Sequence, residues 1–335
     1  DNVSVKEYLG QEVVPDSGCG SWLFEPQSTN TVTYSEDYSQ WAVGGTAPTL
    51  TSGQLSPSGE YNATKISGTI GSSILFTAGT SSETATRSVY AKSVSGTGTA
   101  RLMSFNGNTN NLFTLTEEWQ RFELTGAVPT GGNNFYFDFR DNSQTLSEYM
   151  IWGAQSEEQS YATSYIPTNG EANGVTRNQD VCTNGGSLAS INSTEGTLYF
   201  EGERLSLLGS KRTISISDGT LNNHLYIQFQ GVSNTVRIFY KTVENGQVLL
   251  LNHTLTSSIE FGKYAFKWSD ANFSLWINGV KEIEQLTGNT ATSNVFNTIE
   301  FSLGNAADKF FGKTKALAVW KEALSDQELT ELTTI

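Results

Sequence analysis

The 335 residues carry 34 acidic and 20 basic side chains, a net charge of −14, in a chain only 16% charged and 37% hydrophobic. An acidic chain with no Lys/Arg cluster repels phosphate backbones and anionic lipid heads, which argues against nucleic acid and lipid surfaces as partners. No stretch approaches the ~20 consecutive apolar residues of a membrane span, so no membrane insertion is expected.

At about 150 residues per domain the length suits two domains, each large enough to bury a core of its own. Gly, Ser, Thr and Asn dominate the polar remainder, and 13 Tyr, 18 Phe and 7 Trp accompany them. That mixture fits short strands joined by polar turns. The sequence begins Asp1-Asn2 without a Met, which points to a fragment or a processed product; a missing signal peptide then decides nothing about export.

Asp1 to Glu7, with Val3 and Val5 alternating, parallels Glu148-Tyr-Met-Ile-Trp-Gly-Ala-Gln-Ser-Glu157, and each run leads to a proline, Pro15 and Pro167. Residues 1–21 are therefore expected to be the terminal strand of a preceding module plus a linker. Cys19 and Cys182 lie far apart in sequence; buried or free thiols and a bridge both remain open.

From Trp22 to Pro167 the period is two. Val89 and Ala91 share one face of Arg87–Val94 while Tyr90 and Lys92 take the other. Phe135, Phe137 and Phe139 share a face, opposite Tyr136, Asp138 and Arg140. Connections such as Ser95-Gly-Thr-Gly98 and Thr130-Gly-Gly-Asn-Asn134 punctuate the strands. A two-sheet antiparallel sandwich is expected over 22–167.

Residues 168–192 hold few large apolar side chains and read as a linker. Strands resume over 193–335, among them Gly196-Thr-Leu-Tyr-Phe200, Thr213-Ile-Ser-Ile-Ser217 and Leu225-Tyr-Ile-Gln-Phe229. In Phe273-Ser-Leu-Trp-Ile-Asn-Gly-Val280, Asn278-Gly279 supplies the positive φ angles of a tight hairpin turn. The tail is the one helix expected: Ser325 caps it, Glu328 completes a capping box, and Leu324, Leu329 and Leu332 form an apolar stripe. The fold class is all-β, two tandem antiparallel β-sandwiches with a short C-terminal helix.

Glu25-Pro-Gln-Ser-Thr-Asn30, Tyr34-Ser-Glu-Asp-Tyr-Ser-Gln-Trp41, Ile151-Trp-Gly-Ala-Gln155 and Tyr161-Ala-Thr-Ser-Tyr-Ile-Pro167 resemble the carbohydrate-binding-type jelly-roll modules of phage tail-fibre and other virion proteins, which occur in secreted bacterial proteins too. Phe273-Ser-Leu-Trp-Ile-Asn-Gly279, Phe311-Gly-Lys-Thr-Lys-Ala-Leu-Ala-Val319 and the terminal helix are similar to laminin-G/concanavalin-like sandwiches. The resemblance implies a virion-surface fibre or spike that binds host surface glycans beside other virion proteins, as a homo-oligomer, a trimer by analogy. A purely structural virion decoration, or a binding fragment of a secreted bacterial adhesin or glycosidase, are the alternatives. Fold alone fixes none of these.

Catalytic signatures are sparse. His224 and His253 have no His, Cys or carboxylate at metal-ligand spacing and read as polar strand-surface residues. No nucleophile elbow, phosphate loop or dinucleotide fingerprint appears. Glycoside hydrolysis needs only two carboxylates, yet no Glu-x-Asp-x-Glu strand is present. Asp138 and Asp141 fall on opposite strand faces, and Glu282 and Glu284 read as a solvated edge. A non-enzymatic protein is expected.

Sugar sites combine an aromatic platform with a few planar polar groups. Tyr90, Lys92, Tyr136, Asp138 and Arg140 on the non-core face of the first sandwich are the candidate glycan-binding set, although an ordinary wet sheet face has the same composition. Trp41, Trp119, Trp268 and Trp320 sit in strand contexts and are expected in cores, Trp22 and Trp276 in exposed ones. No organic cofactor is implied. The resemblance to laminin-G-like modules raises calcium, with Asp218 and Asp308 at loop positions as candidate ligands; turn-forming aspartates explain both as well.

Overall fold

The computed structural model describes residues 13–14, 21–80, 84–105, 112–126, 134–205, 211–231, 233–256 and 261–335. The expected all-β class holds: the chain forms antiparallel sheets in two units, residues 27–178 and residues 1–26 with 179–335. Among the described residues the one α-helix is Asp326–Thr333, and no helix is long and apolar enough to cross a membrane.

In the 27–178 unit a five-stranded sheet runs in the order Gln120–Gly126, Ala85–Ser93, Glu148–Glu157, Ala63–Ser67, Thr49–Gln54. A four-stranded sheet runs Ser104–Phe105, Asn134–Asp138, Ile74–Ala78, Ala42–Gly44. The alternation read from sequence places the core between them: Val89, Ala91 and Ile151 from one sheet, Leu75, Phe135 and Phe137 from the other, all fully buried. Trp41 stacks on Phe137 at 5.4 Å and donates its indole N–H to the Tyr34 carbonyl at 2.8 Å. Gly153, at φ +66°, makes the bulge that resets the alternation of Glu148–Glu157.

The strings that carry the family resemblance have a structural explanation here. Asn30 is fully buried; its amide donates to the Ala154 and Ile166 carbonyls and accepts from the Val32 and Ser156 N–H groups. Glu157, also fully buried, accepts from Ser28 Oγ, Gln155 Nε2 and both the N–H and hydroxyl of Thr163. These side chains tie 28–32 and 163–168 to the bulged strand, satisfying polar groups that water cannot reach.

The other unit holds a seven-stranded sheet, ordered Val13–Val14, Ser21–Phe24, Gly312–Trp320, Gly196–Arg204, Gly262–Ser269, Asn272–Ile277, Val280–Gln285. Its partner runs Gly246–Thr254, Thr235–Thr242, His224–Phe229, Arg212–Ser217, Thr298–Glu300. Phe200, Phe266 and Trp268 of the first face Ile214, Ile227 and Ile238 of the second in one core. Asn278 (φ 51°) and Gly279 (φ 86°) form the expected turn, and Ser325 with Glu328 the expected capping box.

Several sequence expectations move. Ser21–Phe24 pairs with Gly312–Trp320, so residues 22–24 belong to the sandwich of the C-terminal strands and not to the first jelly roll. Residues 1–12 and 15–20, expected as the strand and linker of a preceding module, lie outside the described residues. The stretch 168–192 is not a linker throughout: Val175–Arg177 pairs with Ser28–Asn30 and closes the 27–178 unit. Trp276 is buried, because the C-terminal helix lays Leu329 against it, Tyr199 and Ala265 on the outer face of the seven-stranded sheet. Trp119 and Trp320 are only half-buried, whereas Trp41 and Trp268 are core and Trp22 is exposed as expected. Cys182 is a free, exposed thiol; Cys19 lies outside the described residues.

Gly196 lies against the core indole: a Cβ there would sit 2.2 Å from Trp268 Cζ2. Trp268 is fully buried and its N–H donates to the Asn192 carbonyl at 3.2 Å, so it has nowhere to retreat. Gly196→Ala should cost about 2 kcal/mol of stability by overpacking. Urea unfolding checks this, and an unchanged midpoint contradicts it.

Candidate functional site

The five sequence-selected residues do not form one surface. Tyr90 and Lys92 belong to the five-stranded sheet and Tyr136 and Asp138 to the four-stranded sheet, and the shared core separates the two outer faces. Alternation gave the facing of each strand correctly; strand adjacency is not encoded in it.

Both faces are also filled by their own side chains. Tyr90 packs on Trp152 at 5.3 Å with the Arg121 guanidinium 5.6 Å from its ring, and Trp152 in turn meets Tyr165 at 4.6 Å. Lys92 extends over the Trp119 ring at 5.7 Å. On the opposite side Tyr136 stacks on Phe76 at 5.3 Å and is only 7% exposed. Arg140 grips Asp138 with Nε at 2.9 Å and Nη2 at 2.6 Å, and its guanidinium also reaches the Tyr136 ring. Burial alone would raise the Asp138 carboxyl, but the Arg140 hydrogen bonds and charge outweigh it and hold the group below its ordinary range. Asp138 is thus a buried acceptor for Arg140.

Of the two aspartates considered for calcium, Asp218 makes local turn contacts and Asp308 a long-range one. Asp218 accepts from the Thr220 N–H and hydroxyl and from Asn223 Nδ2. Asp308 accepts from Gln228 Nε2, and its backbone is left-handed at φ 45°. Among the described residues no group of three or more His, Cys, Asp or Glu side chains converges as a metal site. His224, expected on a wet strand surface, is 6% exposed and stacked on Phe239 at 4.8 Å. His253 meets Glu282 at 3.4 Å.

An open cleft of about 830 Å³ lies at the edge of the 27–178 unit, within the roughly 300–1,000 Å³ typical of small-ligand sites. Three stretches of chain build it. The first is Glu36-Asp37 and the 3₁₀ turn Tyr38–Gln40, whose N-cap Asp37 accepts from the Ser39 N–H and hydroxyl through Oδ1 and from Gln40 Nε2 through Oδ2. The second is the edge strand Thr49–Gln54, bulged between Thr51 and Gln54 with Gly53 at φ +74°, followed by Tyr61, Asn62 and Thr64. The third is Pro167–Glu171, in which Glu171 accepts the Asn169 N–H at 2.6 Å.

Glu36 is fixed in the wall from both sides. Asn62 Nδ2 donates to Oε2 at 2.8 Å, and the Tyr165 hydroxyl donates to Oε1 at 2.9 Å. Burial pushes the Tyr165 phenol far above its ordinary range, so it stays a donor at any physiological pH. Tyr61 stands at the opening with 74% of its surface exposed, an aromatic ring left uncovered beside carboxylates and amides. That combination suits a hydroxylated ligand with an apolar face: the ring takes C–H groups, and the acids and amides take hydroxyls.

The cleft is hidden from the sequence because its walls come from a 3₁₀ turn, an edge strand and the stretch assigned to a linker, which lie far apart along the chain. The available signal was Tyr61 itself, a large aromatic in the polar run Ser58-Gly-Glu-Tyr-Asn62.

No family model and no curated protein matches the chain. Among solved structures, the CBM40 of the Ruminococcus gnavus IT-sialidase, bound to α2,6 sialyllactose, is similar at 15% identity and a TM-score of 0.37, over 46% of this chain and 95% of that one. Domain 4 of AbnA, a GH43 extracellular arabinanase from Geobacillus stearothermophilus in complex with arabinotriose, is similar at 13% identity and a TM-score of 0.36, over 43% and 68%. The NanB sialidase of Streptococcus pneumoniae gives 12% identity and a TM-score of 0.38, over 46% of this chain and 28% of that one. Likenesses this distant carry no argument about what the present chain binds.

Proposed function

We propose that this protein binds glycans without cleaving them, through the cleft beside Tyr61 in the 27–178 unit. The observation that carries the reading is the uncovered Tyr61 ring at the mouth of a polar cleft whose acids are already held in place by protein donors. Preorganised acceptors bind sugar hydroxyls without first giving up side-chain freedom. Glu36 and Asp37 each accept protein donors on both oxygens, as fixed hydrogen-bond acceptors for a bound sugar would.

Two settings suit such a module equally. One is a phage virion fibre or spike that holds host surface glycans, in which several copies raise a weak single-site affinity by avidity. The other is a secreted bacterial adhesin or glycosidase in which this chain is the binding portion.

Tyr61→Ala tests the site. The side chain is exposed, so its loss should leave folding intact, while removal of the stacking surface should weaken oligosaccharide binding about tenfold, on the order of 1.4 kcal/mol. Calorimetric titration reads the change. An unchanged affinity would place the binding elsewhere.

A further inference from the structure

Resting on that cleft as the sugar site, we infer that it selects uncharged or amine-bearing glycans and rejects those carrying carboxylate or sulfate groups. Three carboxylates, Glu36, Asp37 and Glu171, line it, and among the described residues no Lys or Arg does. Lys65, the nearest basic residue in sequence to the wall residue Thr64, is committed to Glu148 at 3.4 Å. The neighbouring Glu60 is exposed and adds to the same sign.

Hydrogen bonds from Asn62, Tyr165, Ser39, Gln40 and the Asn169 backbone hold the three acids in position. Glu36 is held from both sides, while Asp37 and Glu171 are exposed and keep to the cleft through their local hydrogen bonds. The three like charges sum to one negative field there. A sugar hydroxyl meets these oxygens as a donor. An amino sugar adds a favourable charge, and an acidic sugar meets repulsion from the Glu36-Asp37 wall and from the Glu171 wall. Attraction and repulsion of this kind fade as the screening length shortens from about 10 Å at 0.1 M salt to about 3 Å at 1 M.

The test is a glycan array of neutral, amine-bearing, carboxylated and sulfated oligosaccharides, probed with the full chain and with Tyr61→Ala. The inference expects every glycan whose signal Tyr61→Ala removes to be neutral or amine-bearing, with acidic counterparts at least tenfold weaker. It further expects an Asp37→Asn/Glu171→Gln double variant, or 1 M salt, to narrow that gap at least threefold. A Tyr61-dependent glycan that requires its carboxylate or sulfate would overturn the charge selection and leave the binding site standing. The absence of any Tyr61-dependent glycan would overturn the site itself.

Discussion

Asn30→Ala should lower the melting temperature of the 27–178 unit by about 10 °C. The side chain is completely buried and all four of its hydrogen-bonding positions are used, at 2.8–3.1 Å, on backbone groups of Val32, Ala154, Ser156 and Ile166. Alanine leaves two carbonyls and two N–H groups without that partner. Each orphaned buried group costs about 1–3 kcal/mol, and a net loss of about 4 kcal/mol follows once water enters part of the gap. In a unit of this size each kcal/mol shifts the midpoint by about 2–4 °C. Asn30→Asp should be nearly as damaging, because it keeps the acceptor and sets a carboxylate oxygen against two carbonyls. Scanning calorimetry reads both variants; a midpoint within 2 °C of the wild type would show that the network is ornamental.

Acidification should weaken the other unit through His224. Burial, and then the nearby Lys241, lower its imidazole from about 6.5 to about 4, against smaller opposing contributions from Asp218 and the Leu221 carbonyl. Tyr226 and Phe239 stack about it and leave the charged form poorly solvated. Below pH 6.5 the unfolded chain takes up a proton that the folded chain refuses. Stability is therefore complete above that pH and is lost as pH falls toward 4. Between pH 7 and 4.5 the loss should reach about 2 kcal/mol, at 1.36 kcal/mol per pH unit. His224→Phe keeps an aromatic ring in the stack and removes the titration. Urea unfolding at the two pH values should show the variant losing about 2 kcal/mol less than the wild type. Equal losses would mean that the imidazole titrates normally.

The sequence was most legible where one local rule decides the outcome. Alternation alone put Val89, Ala91, Phe135, Phe137 and Phe139 inside, and all five are fully buried. Asn278-Gly279 and Ser325 with Glu328 announce their turn and cap because each motif is complete within four residues. Legibility ended where distant segments meet. Tyr90 and Tyr136 share an outward facing but lie on opposite sheets, a matter of strand order that no periodicity records. Trp276 looks exposed beside its turn until a helix fifty residues later covers it. His224 sits on a nominally wet face yet is shut in by neighbouring aromatics. The cleft is the extreme case: Glu36, Tyr61 and Glu171 become neighbours only when an edge strand, a 3₁₀ turn and a supposed linker come together.

The most direct measurement is an NMR titration of the isotope-labelled full chain with an oligosaccharide chosen from the array. Saturable shifts gathered at Ser52, Tyr61, Asn62, Asn169 and Glu171 are predicted, and they should vanish in Tyr61→Ala. Shifts centred instead on Lys92 and Trp119, or on Arg140 and Tyr136, would contradict the cleft and restore one of the sheet faces.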